Sequence, residues 1–243
     1  MDAISISAAS GMRSRLQSLD LLANNLANVE TGGYKADREF YSVYSSAEAD
    51  AADRNEIAEL PVIQKQWTDL SPGSLEPTYN QFDLAVDGDG MFAIRTAHGI
   101  RYTRNGSFRL SPAGVLTTAD GSPVGSVTGQ PIMLERNVPF SVAPDGTVQQ
   151  AGGDVGRIRI QSFDATSLAR EGGSYFVPVA GAAPKAAVGS IVQGKIERSN
   201  VSAAESAVRL VEITRQFEML QKAATIGGEL NQKAIEEVAR VVS

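Results

Sequence analysis

The strongest constraint on this chain lies at its two ends. Leu16, Leu19, Ala23 and Leu26 recur at steps of three, four and three, the apolar stripe of an amphipathic helix. The stripe runs directly into Asn28, Thr31, Gly32 and Gly33. Asn and Gly tolerate the left-handed backbone that ends helices, so the sequence predicts a helix from Asp2 to about Asn28 and a non-helical strap through Tyr34 and Lys35. At the other end, Ser199 to Glu205 reads as a helix start, and Ser202 with Glu205 three residues on has the spacing of a capping box. Leu210, Ile213, Phe217, Leu220 and Ala224 follow at steps of three, four, three and four, a heptad seam. Gly227-Gly228 interrupts it, and Leu230 to Val242 can add a further amphipathic turn or two. Small residues from Ala3 to Gly11 fill the first turns of the leading helix, which makes that stretch weak alone but lets a neighbouring backbone come close. Two helices by themselves bury too little surface to be stable. Their seams must therefore close on each other, on the rest of the chain, or on other copies of it.

The middle has a different character. Phe40, Tyr41, Val43 and Tyr44 suggest a short extended piece, and Ser45 to Asn55 is polar and Ala-rich, a mobile segment or short helix. Pro61, Pro72 and Pro77 restrict Leu60–Tyr79 to edge strands or extended connections. From Gln81 onward, Phe82, Leu84 and Val86 alternate, as do Phe92 and Ile94, with Asp87-Gly88-Asp89-Gly90 as a tight turn between them. Similar Gly-containing pairs recur at intervals to Gly152-Gly153, and Ile158, Ile160, Phe163 and then Tyr175, Val177, Val179 supply further strands. This is the pattern of an antiparallel β domain with hairpins, a partly closed barrel or a sandwich. The chain therefore reads as α+β, in four segments: residues 1–35 helix and motif, 36–80 extended connection, 81–194 central β domain, 195–243 C-terminal helix.

Composition removes several function classes. The net charge of −6 argues against nucleic-acid binding. Residues 1–40 carry four basic and five acidic side chains and residues 195–243 carry seven of each, leaving 11 basic against 16 acidic between them. Charge-balanced helices suit side-by-side packing, while an acidic middle suits a solvated layer. Without cysteine there are no thiolate metal sites or disulfides. No run approaches the ~20 apolar residues that span a bilayer, and the N-terminus has neither the basic region nor the apolar core of a cleaved secretory signal. His98, the single histidine, adjoins Gly99 in a turn and reads as solvated. The Asp87–Gly90 stretch lacks the further acids and closing Glu of a calcium loop, so no metal site, cofactor site or catalytic residue is assigned.

The motifs give the positive reading. Ala23-Asn-Asn-Leu-Ala-Asn-Val-Glu-Thr-Gly-Gly-Tyr-Lys35 resembles the N-terminal signature of the bacterial flagellar rod and hook family, and Gly194-Lys-Ile-Glu-Arg-Ser-Asn-Val201 resembles its C-terminal signature. Arg215-Gln-Phe-Glu-Met219, Phe82–Phe92, Tyr102–Phe108 and Leu116–Val124 match further blocks in order, with Glu30 standing where Asn or Asp is common and Met91 where an aromatic is common.

The resemblance implies a structural, non-enzymatic subunit whose paired terminal helices form a coiled-coil-like inner layer of a helical filament. It also implies export without a cleaved signal through the flagellar secretion apparatus, a place in the periplasm-spanning rod of the basal body, and contacts with itself and with other rod subunits, the distal rod protein among them. The single compact insert and Arg215–Met219 point within the family to the proximal rod, ahead of a distal rod or hook subunit. From another class, a secreted binding module or glycan hydrolase is the rival. The assembly interface expected on this basis comprises Leu19, Leu22, Asn24, Asn25, Leu26, Asn28, Thr31, Gly33, Tyr34, Glu197, Ser199, Asn200, Val201, Leu210, Ile213, Phe217 and Leu220.

Overall fold

A computed structural model describes residues 3–44 and 60–242; the Ser45–Asn55 stretch lies outside the described residues. The chain is α+β and divides into two compact units. The first comprises residues 1–27, 37–67 and 202–243, and the second residues 28–36 and 68–201.

The first unit holds two helices, α1 (Ala3–Ala27) and α2 (Ala203–Val242), and a two-stranded ribbon of β1 (Asp37–Tyr44) and β2 (Leu60–Thr68). Helix α2 begins where the capping box places it: Ser202 Oγ accepts the Glu205 N–H at 3.3 Å. It does not break at Gly227-Gly228 but runs on for 40 residues in all. Two glycines cost about 1 kcal/mol each against Ala in a helix interior, which a long helix absorbs because each further residue adds a backbone hydrogen bond at little extra cost.

The helices pack on each other. Gly11 lies against Leu220, where a methyl group on the glycine would stand 3.1 Å from a Leu220 Cδ. Inward residues late in α1 (Leu22, Asn25) answer inward residues early in α2 (Ser206, Ile213), so the two run antiparallel.

The second unit carries the β structure: β3 (Leu75–Pro77), β4 (Leu84–Asp87), β5 (Met91–Thr96), β6 (Gly99–Thr103), β7 (Arg109–Leu110), β8 (Leu116–Thr117), β9 (Phe140–Val142), β10 (Thr147–Gln150), β11 (Gly153–Arg157), β12 (Ile160–Ser162), β13 (Leu168–Gly172), β14 (Tyr175–Pro178), β15 (Lys185–Ala186), β16 (Ser190–Gln193) and β17 (Lys195–Glu197). Its largest sheet runs β13-β14-β6-β5-β12-β15, and a second runs β11-β10-β9. Strands β16 and β17 return along β4 and β3. The pairings are antiparallel, as the turn-punctuated sequence implies.

Strand β5 is central. Phe92 and Ile94 point into the main core with Leu84, Leu116, Val148 and Ile158, while Met91 and Ala93 point into a second cluster with Tyr102, Phe163 and Phe176. A strand buried on both faces reads as a continuous apolar run, and Met-Phe-Ala-Ile is such a run.

Two sequence readings need correcting. Gly88 and Gly90 do take positive φ, but β4 and β5 do not form a hairpin; β4 pairs with β16 and β5 with β6 and β12. Local alternation identifies a turn and cannot see a partner some hundred residues away. In β14 the deeply buried residue is Phe176, which enters the second cluster; Tyr175 is half-buried against the main core, Val177 is half-buried and Val179 is exposed, so the Tyr175–Val177–Val179 register is not the more buried one.

Candidate functional site: a buried clasp and the helical faces

The strap after α1 is built from local hydrogen bonds. The Thr31 N–H donates to Asn28 O at 3.1 Å, its hydroxyl donates to Asn28 Oδ1 at 3.2 Å, and the Tyr34 N–H donates to Thr31 O at 3.2 Å. Gly33 has φ +66°, and a Cβ there would collide with the Arg104–Asn105 backbone. Only glycine meets both conditions. With that close approach secured, the Gly33 N–H donates to Glu197 O at 2.7 Å, so the N-terminal and C-terminal signatures meet directly.

Behind the strap lies a buried ionic cluster. Lys35 Nζ sits 2.5 Å from Glu197 Oε1, and both side chains are fully buried. Arg104 Nη1 donates to Glu197 Oε2 at 3.0 Å and is itself buried. Backbone groups add further bonds: Gly73 N–H donates to Glu197 Oε1 at 2.9 Å, Lys35 Nζ donates to Ser71 O at 2.6 Å, and Arg104 Nη2 donates to Gly88 O at 2.7 Å, while Arg104 Nε is buried without a hydrogen-bond partner among the described residues. Buried charges persist only when paired and hydrogen-bonded in this way. Burial pushes the Lys35 ammonium down from its ordinary range, against the opposing pull of the Glu197 charge and hydrogen bond.

Asn200 supplies the next tie. Its Oδ1 accepts the Ala36 N–H at 2.7 Å, and its Nδ2 donates to Asp69 O at 2.8 Å and Ser71 O at 3.1 Å. The Arg170 guanidinium lies over both the Tyr34 ring (4.5 Å) and the Phe176 ring (5.1 Å) and donates to Lys35 O. At the surface, Arg198 joins Glu30 (2.9 Å) and Glu76 (2.7 Å), which gives Glu30 a partner of its own in this chain. Residues 28–36, 68–76, 102–106 and 195–200 are thus fastened together. We call this arrangement the clasp. Its groups are committed to one another, and the arrangement is suited to holding chain directions rather than to reacting.

The expected interface residues divide between inside and outside. Gly33, Tyr34 and Glu197 are buried in the clasp. Asn25 is buried in the first unit, where its side chain donates to Asp37 O (2.7 Å) and accepts the Asp37 N–H (3.0 Å), fixing the start of β1. Asn200 and Thr31 are half-buried with their side chains engaged as above; Ser199 Oγ accepts the Val201 N–H at 3.2 Å, and both are half-buried. Leu22 and Ile213 are buried; Leu19, Leu26, Asn28, Phe217 and Leu220 are half-buried; Asn24 and Leu210 are exposed.

On α2 the heptad seam largely matches the inward face. On α1 it does not: the inward face is Ala8, Gly11, Ser14, Ser18, Leu22 and Asn25, while Leu16 is 50 % exposed and Ala23 is exposed. Small side chains let the helices approach, and the larger leucines are displaced sideways. Sequence reasoning weighted large apolar residues and so missed this face, although the steps of three, three and four from Ala8 to Ser18 were its signal. It also missed the buried Arg104 and the half-buried Arg170, whose position in turn- and strand-rich sequence gives no sign of these roles. His98 lies exposed at the β5–β6 turn. Among the described residues there is no group of three or more His, Cys, Asp or Glu able to hold a metal ion.

Three family models match the chain in order. The flagella basal body rod protein model covers residues 7–35, the flagellar hook protein FlgE/F/G D1 domain covers 85–150, and the flagellar basal body rod FlgEFG protein C-terminal model covers 192–237. The first and last of these contain two of the clasp's four segments, residues 28–35 and 195–200. The chain is 30 % identical over 226 residues to the flagellar basal-body rod protein FlgF of Caulobacter vibrioides, covering 92 % of each chain. It is 33 % identical to the FlgF of Mesorhizobium japonicum over 88 % of each. Against the flagellar basal-body rod protein FlgG of Bacillus subtilis it is 28 % identical, over 94 % of this chain and 96 % of that one.

Proposed function

The chain belongs to the flagellar basal-body rod protein family, and on that premise we propose that it serves in the proximal part of the rod, assembling through the outward faces of α1 and α2. Its role is structural and not enzymatic. The observation that carries the reading is the combination of a clasp closed entirely within the chain and helices that keep apolar side chains outside. Leu16 on α1 and Val208, Val211, Met219, Ile226 and Leu230 on α2 are all substantially exposed after the two helices have packed on each other. A helix apolar on more than its inward side has a further partner to cover it. The proximal position is favoured over the distal one by the higher identity to the two FlgF proteins than to the FlgG protein.

In this reading α1 and α2 form a coiled-coil-like inner layer. Asn24, Leu19, Leu26, Asn28 and Leu210 line its contacts with neighbouring subunits, which include further copies of the chain and the distal rod protein. The chain reaches the periplasm through the flagellar export apparatus without a cleaved signal. No helix among the described residues is long and apolar enough to cross a membrane. The test is to delete the gene, complement it with a tagged copy and purify basal bodies. The tagged chain is expected to co-purify with the rod and to restore swimming; a chain recovered only outside the basal body, or a deletion strain that swims normally, refutes the assignment.

A further inference from the structure

Asn105-Gly106 is the only Asn-Gly step in the chain. An asparagine in this context is the one most prone to lose its side-chain amide, because glycine has no side chain to shield its nitrogen from the neighbouring carboxamide. The fold nevertheless demands both residues. Asn105 Oδ1 accepts the Ser107 N–H at 3.1 Å, the short-range bond that shapes the turn. At 106 a Cβ would overlap Leu84 O, so the position admits nothing but glycine.

The strap lies on this step. A Cβ on Gly33 would collide with Asn105 N, and one on Gly32 would stand 3.6 Å from Asn105 Oδ1. The Gly33 N–H is held in turn by Glu197 O. The Asn105 N–H donates to Thr103 Oγ1 at 3.0 Å, and Gly106 O accepts the N–H groups of Leu84 and Phe108, each at 3.0 Å. Gly106 itself is buried.

We propose that Asn105 is a self-modification site guarded by the closed strap. While the clasp holds, the side-chain amide is kept; in a chain left open, Asn105 deamidates and the clasp can no longer close. The deprotonated Gly106 backbone nitrogen attacks Asn105 Cγ, an N–Cγ bond forms, the Cγ–Nδ2 bond breaks, and the nitrogen leaves with a proton as ammonia. Water then opens the five-membered imide. Addition at Cγ restores the backbone and leaves aspartate. Addition at the Asn105 main-chain carbonyl carbon leaves isoaspartate, with the backbone now running through Cβ and Cγ and one carbon longer. Ring closure needs the Gly106 nitrogen to swing onto Cγ. The two bonds to Gly106 O, the Asn105 N–H bond and the overlying strap all oppose that movement, so in the closed chain the reaction waits on local opening.

The two products differ in consequence. Aspartate keeps an oxygen for the Ser107 N–H. Isoaspartate displaces Gly106 where Leu84 leaves no room, and shifts the Arg104–Asn105 backbone on which Gly33 seats. Arg104 also holds Glu197 Oε2, so the ionic cluster is disturbed with the strap. Time spent open is thereby written into the covalent chain. The whole site lies within the second unit and does not depend on the assembly the chain joins.

The full chain is incubated in mildly alkaline buffer and the peptide containing Asn105 followed by mass spectrometry, with isoaspartate told from aspartate by isoaspartate-directed carboxyl methylation. Native wild type is expected to deamidate there at least several-fold more slowly than the same chain in urea, and several-fold more slowly than Glu197→Gln, which loosens the clasp. Gly121→Ala, where nothing lies near, should match native wild type. Chains deamidated in urea are then refolded by dilution. The folded fraction should be depleted of isoaspartate at least several-fold, whereas Asn105→Asp should refold with a melting transition near that of wild type. Equal rates in the native and urea arms, or a Glu197→Gln rate no faster than native wild type, overturn the guard. Isoaspartate chains that refold as wild type does, or an Asn105→Asp chain that does not refold, overturn the role given to the longer backbone.

Discussion

Removing the Glu197 carboxylate tests the clasp most severely. In Glu197→Ala the Lys35 ammonium and the Arg104 guanidinium keep their backbone acceptors but lose the carboxylate that bridges them, and both remain walled from water. Breaking a buried pair by deleting one partner costs about 3–5 kcal/mol, because the other charge is left uncompensated. Here one deletion strands two cations and also frees the Gly73 N–H, which places the effect at the upper end. At about 2–4 °C per kcal/mol, the scale for domains of roughly 150 residues and close to this unit's size, the β unit's melting temperature should fall by on the order of 10 °C or more.

Thermal and urea unfolding of the full chain, followed by circular dichroism, measures this; the two units need not melt together, so the β-rich transition is the one to follow. Glu197→Gln keeps the shape and one acceptor, and should fall between wild type and Ala. In a cycle with Lys35→Met, the Gln variant should show a coupling of at least ~1 kcal/mol, since the two side chains touch. A Glu197→Ala protein within ~0.5 kcal/mol of wild type, the range of ordinary surface substitutions, would show that the cluster is solvated, and the reasoning would fail.

Other substitutions probe separate parts. Gly33→Val should destabilise the β unit by more than about 2 kcal/mol, since a β-branched residue at φ +66° is strained before its side chain meets the Arg104–Asn105 backbone; Gly121→Ala, where nothing lies near, is the control and should lose much less. Arg170→Ala removes a guanidinium from two rings at once and should cost about 1–2 kcal/mol by the same melts, at ~0.5–1 kcal/mol per ring; an unchanged transition would refute the stacking role. Burial, together with the Asp120 carboxylate that accepts its hydroxyl at 2.8 Å, pushes Tyr175 up to about 12. Its folded value lies above the unfolded one near 10, so the stability it contributes is intact below pH 10 and is lost as pH rises towards 12. Ultraviolet titration should show a late phenol that Tyr175→Phe deletes, and a phenol titrating near 10 instead would contradict the geometry. Leu16→Asp should leave both melting transitions within ~0.5 kcal/mol of wild type yet abolish swimming; a large loss of stability would place Leu16 in the chain's own core.

Much of this organisation was legible in the residues. The two terminal helices, the Ser202 start, the glycine strap and the antiparallel middle all follow from periodicities and turn chemistry that act over a few residues. What escaped was whatever depends on partners far along the chain. Nothing local distinguishes Arg104, which is buried, from Arg101, which ion-pairs with Glu171 near the surface; both follow strand residues close to Gly. The signature residues were read from their resemblance as surface for other subunits. Asn25, Gly33, Tyr34 and Glu197 instead meet residues of the same chain, because Gly33 and Glu197 face each other across the fold and not across a boundary. The α1 seam was misjudged for a related reason: apolar size predicts burial on average, but a close helix crossing reverses the preference in favour of Gly, Ala and Ser.

Lys35 and Glu197 are 162 positions apart. A ribosome adding ~5–20 residues per second takes ~8–30 s to cover that distance. Throughout that interval the lysine lacks the carboxylate it pairs with, and the strap can close only provisionally. The same order holds for any passage that delivers the chain amino end first: the last quarter of the sequence decides when the first quarter becomes fixed. A message cut short before the codon for Glu197 should therefore yield a chain whose β strands can begin to pair but whose strap has no carboxylate to close on, and such fragments should be the first substrates of a housekeeping protease.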